Sequence, residues 1–529
     1  MANISSSAMA AGVGAGVQNT VFKSEASVMP RKALILATLA PAFAGNVPIG
    51  KPVIVTSPED VADKAGSGGM AHRLALALFR GSKNSVPVYL MAEEEPQNAQ
   101  AATGEIAVAA EQSHGEGVIA LYVAGKAYKI PVLADDDAAD IGERVTATVN
   151  ADAACPVVLA HNSGAITITS KSKGPWGNGV TVAINQRLAE KEALPDGITV
   201  AITAMSGGSG LPDLEAGLKA GLKDGDSANE DRYTGVIHGY GDDSQILNAL
   251  SKYNGEGNEF SGLYSRTIAR PFRSMIGNTQ AGSAGFQAAL NFTANRKIDR
   301  CNGICIRPGS LTHPAEIAAE LLGAMEAVAN DRAEGSYIDL ILSGVDPGIA
   351  ARDAGQDWTT EYANRDLAVR SGISPLIVRD GAVYSQNVVS FYRPSNIPEI
   401  SNMYRRMRDI AITQNVLYNT KNNFSSEKWQ GFTVVKDKSK VTDTASSKKA
   451  RDIDDVKDDD LALIGSFMRK GWLYDDEFSI NALKSPQAVQ VRMDGGGFNN
   501  TMKFVYSGEG GILDTIVQVD TSVAVIETA

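Results

Sequence analysis

The sequence predicts a multidomain α/β and β protein. It should have a layered α/β core, an inserted β-rich domain, a C-terminal α+β domain and an extended strand arm at each terminus. Three observations favour this class. Strands and helices alternate over residues 31–91 and again over 232–395, as in layered α/β cores. Short alternating segments with glycine-rich turns fill 92–231. In the stretch 513–526 every second residue is apolar or β-branched, and the residues between them are mostly polar.

Length and composition set the scale of the fold. A chain of 529 residues exceeds one hydrophobic core and should form about three or four compact units. Hydrophobic residues make up 43%, charged residues 21%, and the net charge is −12. This balance gives no global indication of binding to nucleic acid or an anionic membrane. Cys155, Cys301 and Cys305 leave one thiol unpaired in any disulfide scheme, which favours folding in a reducing compartment.

Residues 1–30 are predicted to be an N-terminal arm. They are rich in Ser, Ala and Gly and hold few large apolar groups, so they should not fold alone. Residues 17–26 could form a strand once another chain supplies the partner. Val17, Val21 and Phe22 are the candidate pairing residues.

The first part of the core, residues 31–91, should begin with a buried strand at Ala33–Leu39. The basic residues before it and Ala42-Phe43-Ala44 after it resemble a secretory signal, which is the alternative. However, the segment starts late and Pro41 interrupts a short apolar run. We then expect a strand at Pro52–Thr56, a helix opened by SPED at 57–60, a helix at Gly69–Phe79 and the strand SVPVYLM.

Residues 92–231 form the predicted insertion, with one helix in DDDAADIGERVTATVNA whose early acids suit the helix dipole. The core resumes over 232–395. Its clearest helix starts near Pro314 and places Ile317, Leu321 and Met325 along one face. SGISPLIVRD and AVYSQNVVSFY should be its last paired strands.

The C-terminal α+β domain is predicted over 396–510. Asn402–Tyr418 should be an amphipathic helix, with Arg405, Arg406 and Arg408 away from its apolar face. Residues 401–450 hold ten Lys or Arg against four Asp or Glu, so this face would suit an acidic partner. The alternative is that these arginines are solvated or paired within the chain. A polar loop at 436–457, a structural spacer in our interpretation, should precede a helix opening at Asp458–Asp460.

The segment 511–529 is predicted to be a C-terminal strand arm. A hairpin is expected before it, with six-residue strands at 488–493 and 501–506 around DGGGFNN. A fourteen-residue strand spans about 45 Å, so such a hairpin cannot pair its full length. Unpaired strand edges recruit other chains, and the candidate pairing residues are Val517, Val519, Val523 and Val525. The alternative is a strand within its own domain.

The sequence offers little for catalysis. Its five histidines are scattered, and Cys301 and Cys305 have no second pair to complete a zinc site. It contains no GxxxxGK[ST] phosphate loop, GxSxG elbow or HExxH motif. We therefore predict no catalytic residues, no metal and no cofactor.

Several stretches together resemble the tail sheath protein of contractile-tailed bacteriophages, in its Mu-like branch. They are YVAGKAYKIPVLADDDAADIGERVTATVNA, ITITSKSKGPWGNGVTVAIN, AMSGGSGLPDL, SGISPLIVRDGAVYSQNVVSFYRP, NMYRRMRDIAITQNVL and the terminal hairpin with its arm. The resemblance covers most of residues 30–525. It implies a structural subunit that polymerises as stacked hexameric rings in a helical lattice and contracts to drive a tube through the host envelope.

The resemblance also implies partners. These are further copies of the chain, linked by exchanged terminal strands, the tail tube protein, and baseplate and tail terminator proteins. Arg405, Arg406 and Arg408 would face the tube. No nucleic acid and no direct membrane insertion are implied, and the protein would be assembled in the host cytoplasm into the virion tail. The main alternative is a multidomain surface adhesin that binds through its β-rich insertion; an α/β hydrolase or metal enzyme is favoured least.

Overall fold

The chain folds into two compact units. The computed structural model describes residues 25–39, 41–43, 45–221, 233–254, 271–348, 353–394, 403–443, 448–474, 489–494, 497–503 and 505–509. Within these described ranges, the larger unit comprises residues 28–424 and 506–509, and the smaller comprises residues 25–27 and 425–505. The predicted mixed α/β multidomain class is confirmed, but the chain divides into two compact units rather than the three or four expected.

The larger unit contains sixteen strands and nine helices within the described residues. The strands are β1 (Ala33–Thr38), β2 (Val53–Val55), β3 (Val88–Glu93), β4 (Ala101–Ala110), β5 (Gly117–Val123), β6 (Lys126–Val132), β7 (Val157–Asn162), β8 (Ala165–Lys173), β9 (Val182–Ile184), β10 (Ile198–Ser206), β11 (Gly235–His238), β12 (Arg273–Asn278), β13 (Asn302–Ile306), β14 (Ile341–Leu342), β15 (Ile373–Arg379) and β16 (Ala382–Ser385). The helices are α1 (Pro58–Ala65), α2 (Met70–Ser82), α3 (Ala138–Asn150), α4 (Leu214–Gly221), α5 (Ser244–Tyr253), α6 (Gly282–Ala294), α7 (Pro314–Asp331), α8 (Tyr362–Arg370) and α9 (Met407–Phe424).

A nine-stranded sheet, in the order β14-β16-β15-β13-β12-β11-β1-β3-β2, forms the centre of this unit. Its six middle strands are parallel, and β2, β16 and β14 are antiparallel at the two edges. Strand β1 pairs on both sides, with Ile35 opposite Ile237 and Leu90. All six of its residues are buried. The predicted core strand at Ala33–Leu39 is therefore confirmed.

Helices α2 and α7 pack closely together. A Cβ on Gly81 would overlap the carbonyl of Glu320, and one on Gly323 would overlap the carbonyl of Leu78. These two positions therefore need glycine, because it lets the helix backbones approach. Helix α7 starts at Pro314, as predicted, and the His313 imidazole accepts a hydrogen bond from the Ala315 amide as its N-cap.

The strands β4–β10 and helix α3 lie in the chain between β3 and β11. They form a four-stranded sheet (β10-β4-β8-β7) and a three-stranded sheet (β6-β5-β9), both antiparallel, around a core of their own. This part contacts the elements of the central sheet. The Met70 amide donates to Ser172 Oγ at 2.8 Å, and the rings of Trp176 and His313 stack 3.7 Å apart.

The smaller unit contains β17 (Thr433–Val434), β18 (Ala450–Arg451), helix α10 (Ile453–Arg469), β19 (Val489–Asp494) and β20 (Gly497–Met502). The predicted start of α10 at Asp458–Asp460 is wrong. The helix begins five residues earlier because Asp452 caps it and forms a capping box with Asp455. Within the predicted spacer loop, Lys438 pairs with Asp455 at 2.9 Å.

Candidate interaction surfaces

The helix that carries the predicted tube-binding arginines is shorter at its start than expected. It begins at Met407 rather than Asn402. The residues before it are pinned by tertiary contacts instead, because the Ser390 amide donates to the Arg405 carbonyl and Arg406 forms a β-bridge with Val389. Arg405 thus ends a short turn, and Arg406 forms the bridge immediately before α9. Arg406 is exposed and Arg405 is half-buried.

Arg405 and Arg406 belong to a cluster of four arginines, which we call the arginine cluster, with Arg370 and Arg393. Burial lowers the pKa of Arg405, and the nearby charges of Arg406 and Arg370 lower it further. Burial and the charge of Arg405 lower the pKa of Arg393 in the same way. Arg405 is therefore close enough to like charges on two other chain segments for the charges to affect one another's pKa values, which is costly unless an anion is nearby.

Counter-charge within the arginine cluster is sparse. Arg370 pairs with Asp366 at 2.7 Å. Across the described ranges, no carboxylate forms an ion pair with Arg393, Arg405 or Arg406. Sequence analysis missed Arg370 and Arg393, since they lie on different elements and no local pattern connects them with residue 405. An acidic surface would relieve the repulsion within this cluster.

The predicted exposure of Arg408 is wrong. Its side chain is 4% exposed. Its Nε donates to the Glu334 carbonyl at 2.8 Å, and its terminal nitrogens donate to the carbonyl and Oγ of Ser507 at 2.7 and 2.9 Å. Arg408 is buried because it lies in the first turn of α9, on the side of the helix that packs against the larger unit. Arg408 therefore holds the chain's own C-terminal segment.

The predicted arm residues lie outside the described residues. They are Val17, Val21, Phe22, Val517, Val519, Val523 and Val525. The hairpin expected before the C-terminal arm is present as β19 and β20, paired from Val489–Met502 to Asp494–Gly497. Its second strand starts at Gly497 rather than Thr501, so Phe498 and Asn499 are in the ladder and not in the loop. These two strands form a sheet of two within the described part of the chain, and each leaves an outer edge.

The described residues show little suited to catalysis. A cavity of about 260 Å³ lies at the carboxyl ends of β11 and β12 and includes His238 and His313. Burial lowers the pKa of His238 to about 4 and that of His313 to about 3, so both imidazoles stay neutral. Burial likewise raises the pKa of the Cys305 thiol to about 12. No cluster of His, Cys, Asp and Glu within the described ranges could hold a metal ion.

Among the helices in the described part of the chain, none combines the length and the apolar character that spanning a bilayer requires.

Comparison with known proteins gives one curated relative at the sequence level. It is the Mu-like prophage FluMu tail sheath protein of Haemophilus influenzae, 25% identical over 200 residues, which span 38% of this chain and 40% of the relative. No family model matches the chain. The predicted resemblance to Mu-like tail sheath proteins is confirmed by this relative, although the match spans less than half of its length.

Solved structures give weaker likenesses. The sheath tail protein of Desulfitobacterium hafniense aligns at a TM-score of 0.44 and 12% identity, covering 93% of this chain and 98% of that one. The PVC sheath of an extracellular contractile injection system, in its contracted state, aligns at 0.46 and 8%, covering 98% and 99%. The contracted helical sheath of the anti-feeding prophage aligns at 0.37 and 10%, covering 97% and 99%.

Proposed function

We propose that this chain is a structural subunit of a contractile tail sheath in a phage or phage-derived particle. It would polymerise as stacked hexameric rings around a tail tube and contract to drive the tube through the host envelope. The observation that carries the proposal is the similarity to the Mu-like prophage tail sheath protein over 200 residues. No cofactor is needed, because the extended lattice itself would store the free energy released on contraction.

Neighbouring copies would be linked by strand exchange. The alternation along 513–526 gives the C-terminal arm one face suited to burial, and β19 and β20 form a hairpin with outer edges. An edge strand binds an incoming strand through main-chain hydrogen bonds. A donated arm from one copy, with an N-terminal arm from another, would extend this hairpin into a larger sheet. Such links survive large rotations, because each paired sheet moves as a rigid body.

The arginine cluster is the proposed tube-facing surface. Arg405 and Arg406 keep the role predicted for them, and Arg370 and Arg393 join them in place of Arg408. An acidic tube wall would supply the missing counter-charge. Exposed ion pairs each contribute at most about 1 kcal/mol. Many such pairs, repeated over the subunits of the sheath, can together hold the extended state, and each pair is weak enough to break on contraction. Baseplate and tail terminator proteins would complete the particle, which would assemble in the host cytoplasm.

Negative-stain electron microscopy of the purified full-length protein tests this function. We expect helical tubes or stacked rings, alone or with the tail tube protein. Dispersed monomers at high concentration, with and without tubes, would contradict the proposal and favour a surface adhesin instead.

A further inference from the structure

The last described residues of the chain, 506–509, are held against the larger unit although they form no regular secondary structure. The Tyr506 hydroxyl and Thr413 Oγ1 are hydrogen-bonded at 2.9 Å. The Glu509 carboxylate accepts hydrogen bonds from Ser336 Oγ and the Tyr337 amide, both at 2.8 Å. Helix α9 and the segment after α7 therefore both contact this four-residue segment.

Arg408 supplies the remaining contact, with Ser507. Its guanidinium makes a fork on Ser507, contacting both the carbonyl and the side-chain oxygen. Its Nε also donates a hydrogen bond to the Glu334 carbonyl, and one of its terminal nitrogens lies 3.3 Å from a carboxylate oxygen of Asp409. Desolvating a guanidinium costs several kcal/mol unless its donors are satisfied. Here three of its hydrogen bonds go to backbone or hydroxyl oxygens, and two of these belong to the tail.

A chain end with no structural role would not need a buried guanidinium to hold it in place. The described contacts reach Glu509, which precedes in the sequence the glycines at 510 and 511 and the alternating stretch 513–526. A strand lent to a neighbour transmits force to its own unit through the residues where it leaves that unit. If residues 506–509 could detach from the unit, the free segment between the unit and the paired strand would lengthen by several residues. The position of the neighbouring copy relative to the unit would then no longer be fixed.

We propose that Arg408 is a positioning residue that clamps residues 506–509 and so fixes the point where the C-terminal arm leaves its own subunit. The clamp consists of Arg408, Thr413, Ser336 and the Tyr337 amide on the unit, acting on Tyr506, Ser507 and Glu509. This inference rests on the proposed function for its purpose, but the clamp itself exists in the isolated chain. It replaces the tube contact that the sequence suggested for Arg408.

Hydrogen exchange in the full-length protein tests the clamp directly. Arg408→Gln removes the charged fork, and hydrogen bonds to a charged group are strong enough that their loss should accelerate exchange of the amides of 506–509 and Tyr337 about 10- to 100-fold. Arg408→Lys keeps the charge but not the fork and should give an intermediate acceleration. Arg187→Gln, an exposed arginine paired with Glu190, is the matched control and should change neither region.

A second variant guards against misfolding of the first. Glu509→Ala alters only the tail side of the clamp and cannot leave a cavity in the core, yet it should also accelerate exchange at Tyr337 and 506–509. If Arg408→Gln or Glu509→Ala leaves these amides as slow as in the parent protein, the clamp is overturned. If Arg408→Gln does not fold, Arg408→Lys decides the role of Arg408, and Glu509→Ala tests only the contact with Ser336 and Tyr337.

Assembly separates the clamp from the proposed function. Where the parent protein forms sheaths, Arg408→Gln sheaths should break between rings on contraction while still binding tubes, and Arg406→Gln should show the opposite pattern with normal exchange at 506–509. Intact contraction of Arg408→Gln sheaths would overturn the positioning role. If the parent protein forms no sheath at all, the proposed function fails, and the exchange measurement still shows whether the clamp exists.

Discussion

Reversing the charge of Arg405 and Arg406 should weaken binding to tail tubes without unfolding the subunit. Within the described residues neither side chain forms an ion pair, so Arg405→Glu with Arg406→Glu breaks no salt bridge in the chain. It also removes the like-charge repulsion that helps to lower the pKa of Arg405. The melting temperature should therefore stay within a few degrees of the parent. Arg408 must be left unchanged, because a glutamate there would be buried against the oxygens that now accept from the guanidinium.

The magnitude follows from the exposure of the pair. An exposed ion pair contributes at most about 1 kcal/mol, and reversal replaces it with a repulsion of similar size. The loss is then at most about 2 kcal/mol per arginine and about 4 kcal/mol per subunit, repeated over every subunit of the sheath. Screening over about 8 Å at physiological ionic strength should reduce the effect as salt is added.

The assay is co-sedimentation of subunits with preformed tubes across a salt series, checked by electron microscopy. The variant with both arginines changed to glutamine should lie midway between the parent and the reversed pair. Arg187→Glu, in the insertion, serves as a charge-reversal control away from the arginine cluster and should behave like the parent. Normal sheath assembly of the reversed pair on tubes at low salt would refute the assignment of this surface.

Two further predictions concern buried charge. Glu93 is 2% exposed, and burial, then the charge of Asp213, raises its pKa from 4.5 to about 8. The folded state therefore keeps a proton that the unfolded state has lost, so the free energy of unfolding should fall as pH rises from about 4.5 to about 8. Glu93→Gln should flatten that decline in urea titrations at several pH values, and an unchanged slope would be inconsistent with this pKa. Glu326, fully buried, pairs with the buried Arg273 and accepts a hydrogen bond from Thr234 at 2.7 Å. Glu326→Gln should lower the free energy of unfolding by about 3–5 kcal/mol, because it leaves a buried cation unpaired; a loss below about 1 kcal/mol in urea denaturation would contradict this.

Local patterns in the sequence predicted most of the elements. Six successive buried residues in β1 and the periodic apolar face after Pro314 follow from burial and helix geometry alone, and both are present. The early start of α10 could have been found as well. Asp452 and Asp455 have the spacing of a capping box, and this signal stands just before the acids that were assigned to the helix start.

Tertiary contacts account for what the sequence could not predict. Residues before Met407 have helical periodicity, but contacts with Val389 and Ser390 hold them in a turn and a β-bridge instead. Arg408 looked like a surface residue because its partner, Ser507, lies 99 positions away in sequence. Only two of the four arginines in the arginine cluster could be predicted from the sequence. The other two, Arg370 and Arg393, lie on elements that are distant in sequence and come near Arg405 only in the folded chain.

The central claim is that the C-terminal arm links one copy of this chain to the next. The most direct measurement is polymerisation of a version that ends at Gly510, compared with the full-length protein by electron microscopy and sedimentation. The clamp residues 506–509 are kept in this version, so the subunit should fold and remain monomeric or form only separate rings. Extended sheaths of normal length from the shortened chain would contradict the account.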